Sequence, residues 1–465
     1  MPVKMGSNAD VEQSVVADPG AADNDNGKET LDSPNGQVEE KEPEPSFDTG
    51  FIPWIQVFGS FFCFFNSWYV TSTAVANIWH RLVANLHMRR GVINTWGAFQ
   101  TYYESNLLSD VSSSSIAWIG SLQSFLLMLF GVITGPLFDA GYFQYLVGFG
   151  TLILPFGLMM ASISSQYWHL ILAQGICCGL GAGSLFVPSV AILPQYFMKR
   201  RGLANGLAAT GSSVGAVIYP IMFNKLQHQV GFPWATRAVG FVSLGTCSIS
   251  LSIMRMRFKP KEKRKLVQIA AFKEPPFVVF CFAMFFGFLG FYNFLVYIQS
   301  YAIDTKIIDP NLGFYLLAML NAGSTLGRIG PNFIADHTGP LNMLTPAVTA
   351  TATLAFVWVG VHNTPGIIVL AVLYGLCSGG FVSLPPVVMV TLTKDIRDLG
   401  TRLGMVFACT SIALLIGTPI GGAILNGSGE YLGLQLFTAC CLITSAILMA
   451  TLRLLRTGFR VKVKA

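Results

Sequence analysis

From residue 50 to residue 452 the chain is a succession of long apolar runs, and runs of that length leave a folding chain few choices. A helix needs about 20 apolar residues to cross the hydrocarbon of a bilayer. Twelve stretches meet that description. The first is built from residues 51–68 and 91–103; the others cover 116–138, 143–163, 168–192, 202–223, 233–255, 277–302, 311–335, 341–361, 365–390, 403–424 and 431–452. Lipid offers no hydrogen-bond partner to bare backbone, so each must be helical. The expectation is an all-α membrane protein with twelve transmembrane helices. Charged residues make up only 11% of the chain, against about a quarter in soluble domains, which argues against a soluble enzyme.

Charge is divided along the chain. Residues 1–49 hold 12 of the 23 acids and 3 of the 29 bases; this leader is too polar to bury a core and reads as a disordered cytosolic tail. With the N-terminus inside, 19 bases fall in cytosolic loops and the C-terminal tail, and only Lys225, Arg237 and Lys306 fall outside. By the positive-inside rule both termini are cytosolic, and the plasma membrane is the expected location. The basic stretch 255–276 divides the body into six spans over 50–254 and six over 277–452, with a basic tail at 453–465.

The halves echo each other. Gly175 begins a glycine-rich phrase before Pro188, a basic cluster ending at Arg201-Gly202, and Pro220. Tyr374 begins a similar phrase before Pro386, a charged loop ending at Arg402-Leu403-Gly404, and Pro419. A second echo pairs Gly135-Pro-Leu-Phe-Asp139-Ala-Gly141 with Asn332-Phe-Ile-Ala-Asp336-His-Thr-Gly339. Two parallel six-span repeats related by an axis along the membrane normal place a substrate between them near the midplane.

The two aspartate-bearing loops resemble the signature loops of the major facilitator superfamily, although the first lacks the usual arginine after Asp139. The stretch from Tyr196 through Lys199, Arg200, Arg201, Gly202, Gly206 and Gly211 to Gly215 is similar to the fifth-helix motif of the monocarboxylate transporter family. Asp48-Thr-Gly50-Phe51-Ile-Pro-Trp54 resembles that family's entry to helix one, and Phe99-Gln-Thr-Tyr-Tyr-Glu104 looks like its fungal branch. The resemblance implies the major facilitator fold and a secondary transporter working by alternating access. Its cargo would be a small organic solute, monocarboxylate-like or a secondary metabolite, with efflux as one direction and protons as a candidate coupling ion. Proton-linked lactate carriers of this family have an acid four residues before the helix-eight arginine. Here that position is Ser324, so their mechanism does not transfer as it stands. The rival reading is a non-transporting membrane receptor on the same fold.

Arg328 is the one strongly basic residue inside a hydrophobic run. Such a charge costs at least about 2.5–3.5 kcal/mol unless it is paired or faces water. Asn321, Ser324 and Thr325 precede it at helical spacing, a polar stripe expected to face the cavity. The bland alternative pairs Arg328 with Asp336 at the gate. Asn66 and Asn94 on span one, Gln123 on span two, and Tyr292, Asn293 and Gln299 on span seven are further candidates for a ligand, or for bonds between helices. Asp139, Asp336, Lys199, Arg200 and Arg201 are assigned to gating loops. Gly202, Gly206, Gly211 and Gly215 suggest close helix packing. The GxSxG match around Ser213 lies mid-helix, the wrong setting for a nucleophile. No nucleotide motif occurs, and the nine cysteines show neither CxxC nor histidine pairing. No cofactor, metal or nucleic acid is therefore expected; the partners are the small-molecule substrate and the lipid bilayer.

Residues 69–90 interrupt span one with His80, Arg81, His87, Arg89 and Arg90, leaving residues 91–103 too short to cross alone. One reading is an extracellular insertion. The other is a translated intron, whose removal joins Asn66-Ser67-Trp68 to Gly91-Val92 as one continuous helix; codons for Trp68-Tyr69-Val70 and Arg90 permit the splice signals. The span-length argument favours the second. Sequencing the transcript is expected to find a message lacking those 22 codons; a message dominated by the longer form would establish the insertion.

Overall fold

The computed structural model describes residue 48, residues 50–68, 103, 107–108, 111, 113–258, 268–458 and 463. Span α1 is Phe51–Ser67. The others in chain order are α2 Trp118–Asp139, α3 Phe143–Ile163, α4 Tyr167–Gln195, α5 Arg201–Phe223, α6 Lys225–Ile253 and α7 Pro275–Asp304. They continue with α8 Pro310–Thr338, α9 Pro340–Gly360, α10 Thr364–Leu392, α11 Ile396–Ser428 and α12 Tyr431–Thr457. Ten of these are long and apolar enough to cross a membrane. Of the other two, α1 has 17 described residues, and α8 is the helix that carries Arg328. Asn94 and the 69–90 segment lie outside the described residues.

Local sequence explains the joints. Gly231 adopts φ 78° and kinks the chain within α6, shortly after its start. Gly141 (φ 92°) and Gly339 (φ 106°) end α2 and α8 in a backbone region that a side chain would disfavour. These are the glycines that close both aspartate-bearing phrases. Span α4 departs from a plain α-helix: Ile171–Cys178 is wound as a π-helix, a widening that is rare and often sits at functional positions.

Contacts fall into two sets, α1–α6 and α7–α12, joined chiefly where α2 meets α11 and α5 meets α8. Glycine makes these crossings close. A Cβ added to Gly135 or Gly404 would strike the Gly400 or Gly131 carbonyl, and one added to Gly202 or Gly206 would strike the Asn332 or Arg328 carbonyl. The remaining two glycines of the α5 series, Gly211 and Gly215, lie against the Phe61 and Phe65 carbonyls of α1. The small-residue spacing therefore serves packing, on two neighbours rather than one.

The contacts also fix the register of the two echoed phrases: Gly202 faces Asp336 as Gly400 faces Asp139, and Gly206 corresponds to Gly404.

Candidate functional site

The end of the molecule that carries the start of α1 and the finish of α12 is locked by carboxylates bonded to backbone. Asp139, at the last turn of α2 and 4% exposed, accepts from Gly400 N at 3.0 Å, Thr401 N at 2.6 Å and Thr401 Oγ1 at 2.7 Å. Asp336, at the last turn of α8, accepts from Gly202 N at 2.6 Å and Leu203 N at 2.9 Å. Each carboxylate thus caps the start of a helix in the opposite half. The first backbone N–H groups of a helix have no partner within it, and they favour negative charge. Glycine is needed at both receivers, since a Cβ at Gly400 would come within 2.6 Å of Asp139 Oδ1 and one at Gly202 within 2.8 Å of Asp336 Oδ1.

Further acids tie the same region within each half. Asp48 accepts from the backbone N–H of Met198, Lys199 and Arg200 at 3.1, 2.8 and 3.1 Å. In the second half Arg402 donates to both oxygens of Glu274 at 3.0 Å, to Gln268 Oε1 at 3.0 Å and to the Leu392 carbonyl at 3.0 Å. These bonds hold the Glu274 carboxyl below its ordinary range, so its contribution is complete above that range and fades only as pH falls through the lowered value. Lys199 and Arg200 join this region through backbone N–H, their side chains being exposed; Arg201 Nε donates to the Phe197 carbonyl at 2.8 Å.

Beyond these caps, between the halves, lies a narrow cavity of about 20 Å³, its side chains closed in on one another. Its walls are aromatic and thioether: Phe64, Trp68 and Phe186 from one half, Met284, Phe288 and Phe407 from the other. Phe186 and Phe407 meet across the halves with ring centroids 5.1 Å apart. The polar part is Arg328 with Asn205, Ser212 and Ser383. Arg328 reaches across to α5, where Nη1 donates to the Ala209 carbonyl and Ser212 Oγ, while Nε is buried without a partner. Among the described residues no carboxylate pairs with it. The proposed pairing with Asp336 is not formed; that acid is committed to the α5 backbone, two helical turns away along α8.

Of the sequence candidates among the described residues, Arg328 alone lines this cavity. Ser324 is buried where α8 meets Gly375 and Gly379 of α10, and Asn321 turns back to the Leu317 carbonyl at 2.9 Å. The stripe is split because the glycine-lined α10 contact takes part of it. Asn66 is spent between helices: its amide donates to Thr246 Oγ1 at 2.8 Å and the Phe62 carbonyl at 2.7 Å, and its oxygen accepts from Tyr219 at 2.8 Å. Gln123 is fully buried beside Gly179 of α4 with an unpartnered amide. Asn293 donates to the Leu289 carbonyl at 3.0 Å and directs its oxygen at Gly421. Tyr292 is buried among Phe288 and Phe291. Asn205, Ser212 and Ser383 went unread in the sequence, though Asn205 and Ser212 sit within the quoted α5 motif, on the side that faces α8.

Residues 57–361 match the family model described as Major Facilitator Superfamily. The chain belongs to the major facilitator superfamily. Relatives of this facilitator include the MFS-type transporter dbaD of Emericella nidulans, 41% identical over 82% of this chain and 80% of that protein. The aspyridones efflux protein of the same organism is 38% identical over 77% and 73%, and the fujikurins efflux protein of Gibberella fujikuroi is 36% identical over 98% and 92%. Among solved structures, a bacterial homologue of the iron transporter ferroportin superposes with a TM-score of 0.65 at 11% identity, covering 87% of this chain and 100% of that one. The transporter FucP gives 0.60 at 15% identity, covering 86% and 99%. The facilitator fold and a transporter's function are thereby shown, with no enzyme activity implied.

Replacing Asp139 by Asn keeps the shape of the cap but removes the charge, and a hydrogen bond to a charged group contributes about 1.5–3 kcal/mol. Amide hydrogen exchange at Gly400 and Thr401 is expected to speed up about tenfold or more. Because the halves part together, Gly202 and Leu203 should lose protection too; loss at Gly400 and Thr401 alone would show that the two caps open independently.

Proposed function

We propose that this facilitator exports an acidic secondary metabolite with an aromatic or otherwise apolar body. The observation that carries the reading is Arg328, an intramembrane guanidinium with an unpartnered Nε and no carboxylate partner among the described residues, in a cavity walled by aromatic rings. A buried cation attracts a counter-ion strongly where the dielectric is low, and the rings supply apolar area for the rest of the ligand. Efflux is supported by the named functions of the relatives, and the resemblance to the monocarboxylate transporter family at 196–215 fits an anionic cargo. The bond from Arg328 to α5 spans the halves, so an anion that captures the guanidinium competes with a contact that holds them together. That competition links binding to the rocking of the two halves; a proton or solute gradient would drive the cycle.

The excess of basic residues in the loops assigned to the cytosol supports cytosolic termini at the plasma membrane. On that reading the carboxylate caps close the cytosolic side.

Two measurements test this. Arg328→Ala is expected to abolish export, read as loss of the exported metabolite from the medium of cells expressing the variant, with the protein still folded and in the membrane. Arg328→Lys should recover little of it, because an ammonium cannot replace a planar fork. Normal export by Arg328→Ala would overturn the site. Tags on either terminus are expected to resist external protease in intact cells; cleavage of one would reverse the orientation.

A further inference from the structure

A second recess lies on the outer surface of the second half, between α9 and α12. It is an open recess of about 510 Å³, lined by Asn342, Thr345, Thr349 and Thr353 with Pro346 and Ala350, and by Arg453 at one end. The threonines follow one another at i, i+4 spacing, and each hydroxyl is turned back to a carbonyl of its own helix: Thr345 to Leu341 at 2.9 Å, Thr349 to Thr345 at 2.9 Å and Thr353 to Thr349 at 3.0 Å. What they present outward is methyl. The groove is therefore apolar along its length and cationic at its mouth.

Its dimensions match one leaflet. The twelve residues of helix from Asn342 to Thr353 rise about 16 Å from first to last, close to half of the roughly 30 Å hydrocarbon thickness. Span α12 has 27 residues, or about 40 Å, so Arg453 near its end sits at the boundary with the headgroups. There Arg453 Nε donates to Asn342 Oδ1 at 2.7 Å and Asn342 Nδ2 donates to the Val463 carbonyl at 2.8 Å, so the guanidinium and the basic tail meet at the same end of the groove. Arg456 follows one turn on, and the chain continues with Arg460, Lys462 and Lys464.

We propose that this groove binds a glycerophospholipid of net negative headgroup, one acyl chain lying along the threonine methyls and the headgroup at Arg453. Charge complementarity selects the occupant. A recess opening into hydrocarbon is filled by an acyl chain in any bilayer, and a cationic mouth in the headgroup layer favours anionic lipid over zwitterionic. The site is separate from the transport cavity and does not depend on what that cavity carries.

The full-length protein in detergent is titrated with palmitoyl-oleoyl phosphatidylserine or phosphatidylcholine, following the thermal midpoint and the lipids retained in native mass spectrometry. Phosphatidylserine is expected to be retained at about tenfold lower concentration than phosphatidylcholine, and to raise the midpoint by a few degrees through preferential binding to the folded state. Arg453→Gln should erase the difference between the two lipids. Thr349→Phe, which fills the groove and leaves the charge, should reduce retention of both. Equal retention of the two lipids by the wild type would overturn the proposal. So would unchanged selectivity in Arg453→Gln, unchanged retention in Thr349→Phe, or a lipid-independent change of oligomeric state in Thr349→Phe, which would make the groove a contact between copies.

Discussion

A helix start cannot be left bare where two bundles meet, because its first N–H groups have no partner of their own and closure shuts water out. The closed end of this protein is organised around that constraint. Asp139 and Asp336 each answer the need of a helix in the other half, so the surfaces that must come together are the ones that complete each other's hydrogen bonding. The glycines at 135, 202, 206, 400 and 404 follow from the same demand, since the carboxylates reach those N–H groups only if backbone approaches backbone.

The frame is nearly two-fold, and the chemistry is placed where that symmetry fails. Arg328 presents its carbonyl to Gly206 as Gly131 presents its own to Gly404, and Asn332 stands opposite Gly202 as Gly135 stands opposite Gly400. At these equivalent positions one half has glycine and the other has guanidinium or amide. The matching backbones preserve the crossing while only one side contributes charge to the cavity.

Much of this architecture was legible in the residues, because lipid makes span length and backbone satisfaction nearly decisive and because glycine and aspartate mark crossings and caps by type. Arg328 stood out for the same reason: a charge among apolar neighbours needs a purpose. The other polar residues in the spans were less readable. Whether an amide faces a ligand or a neighbouring helix depends on the rotation of each span about its axis, which apolar content on every side does not specify. Asn66 went to Thr246 and Tyr219, Ser324 to the α10 contact, and Asn205, inside a packing motif, came to the cavity.

The two caps are reciprocal: what the first half gives the second at Asp139, the second returns at Asp336. Such exchange is the signature of an isologous interface, in which one patch serves as both donor and receiver. A chain of half this length, carrying one such aspartate and one such glycine, could close the same end by pairing with an identical copy. Fusing the copies would free each to diverge, and a guanidinium on one side alone becomes accessible only after that fusion.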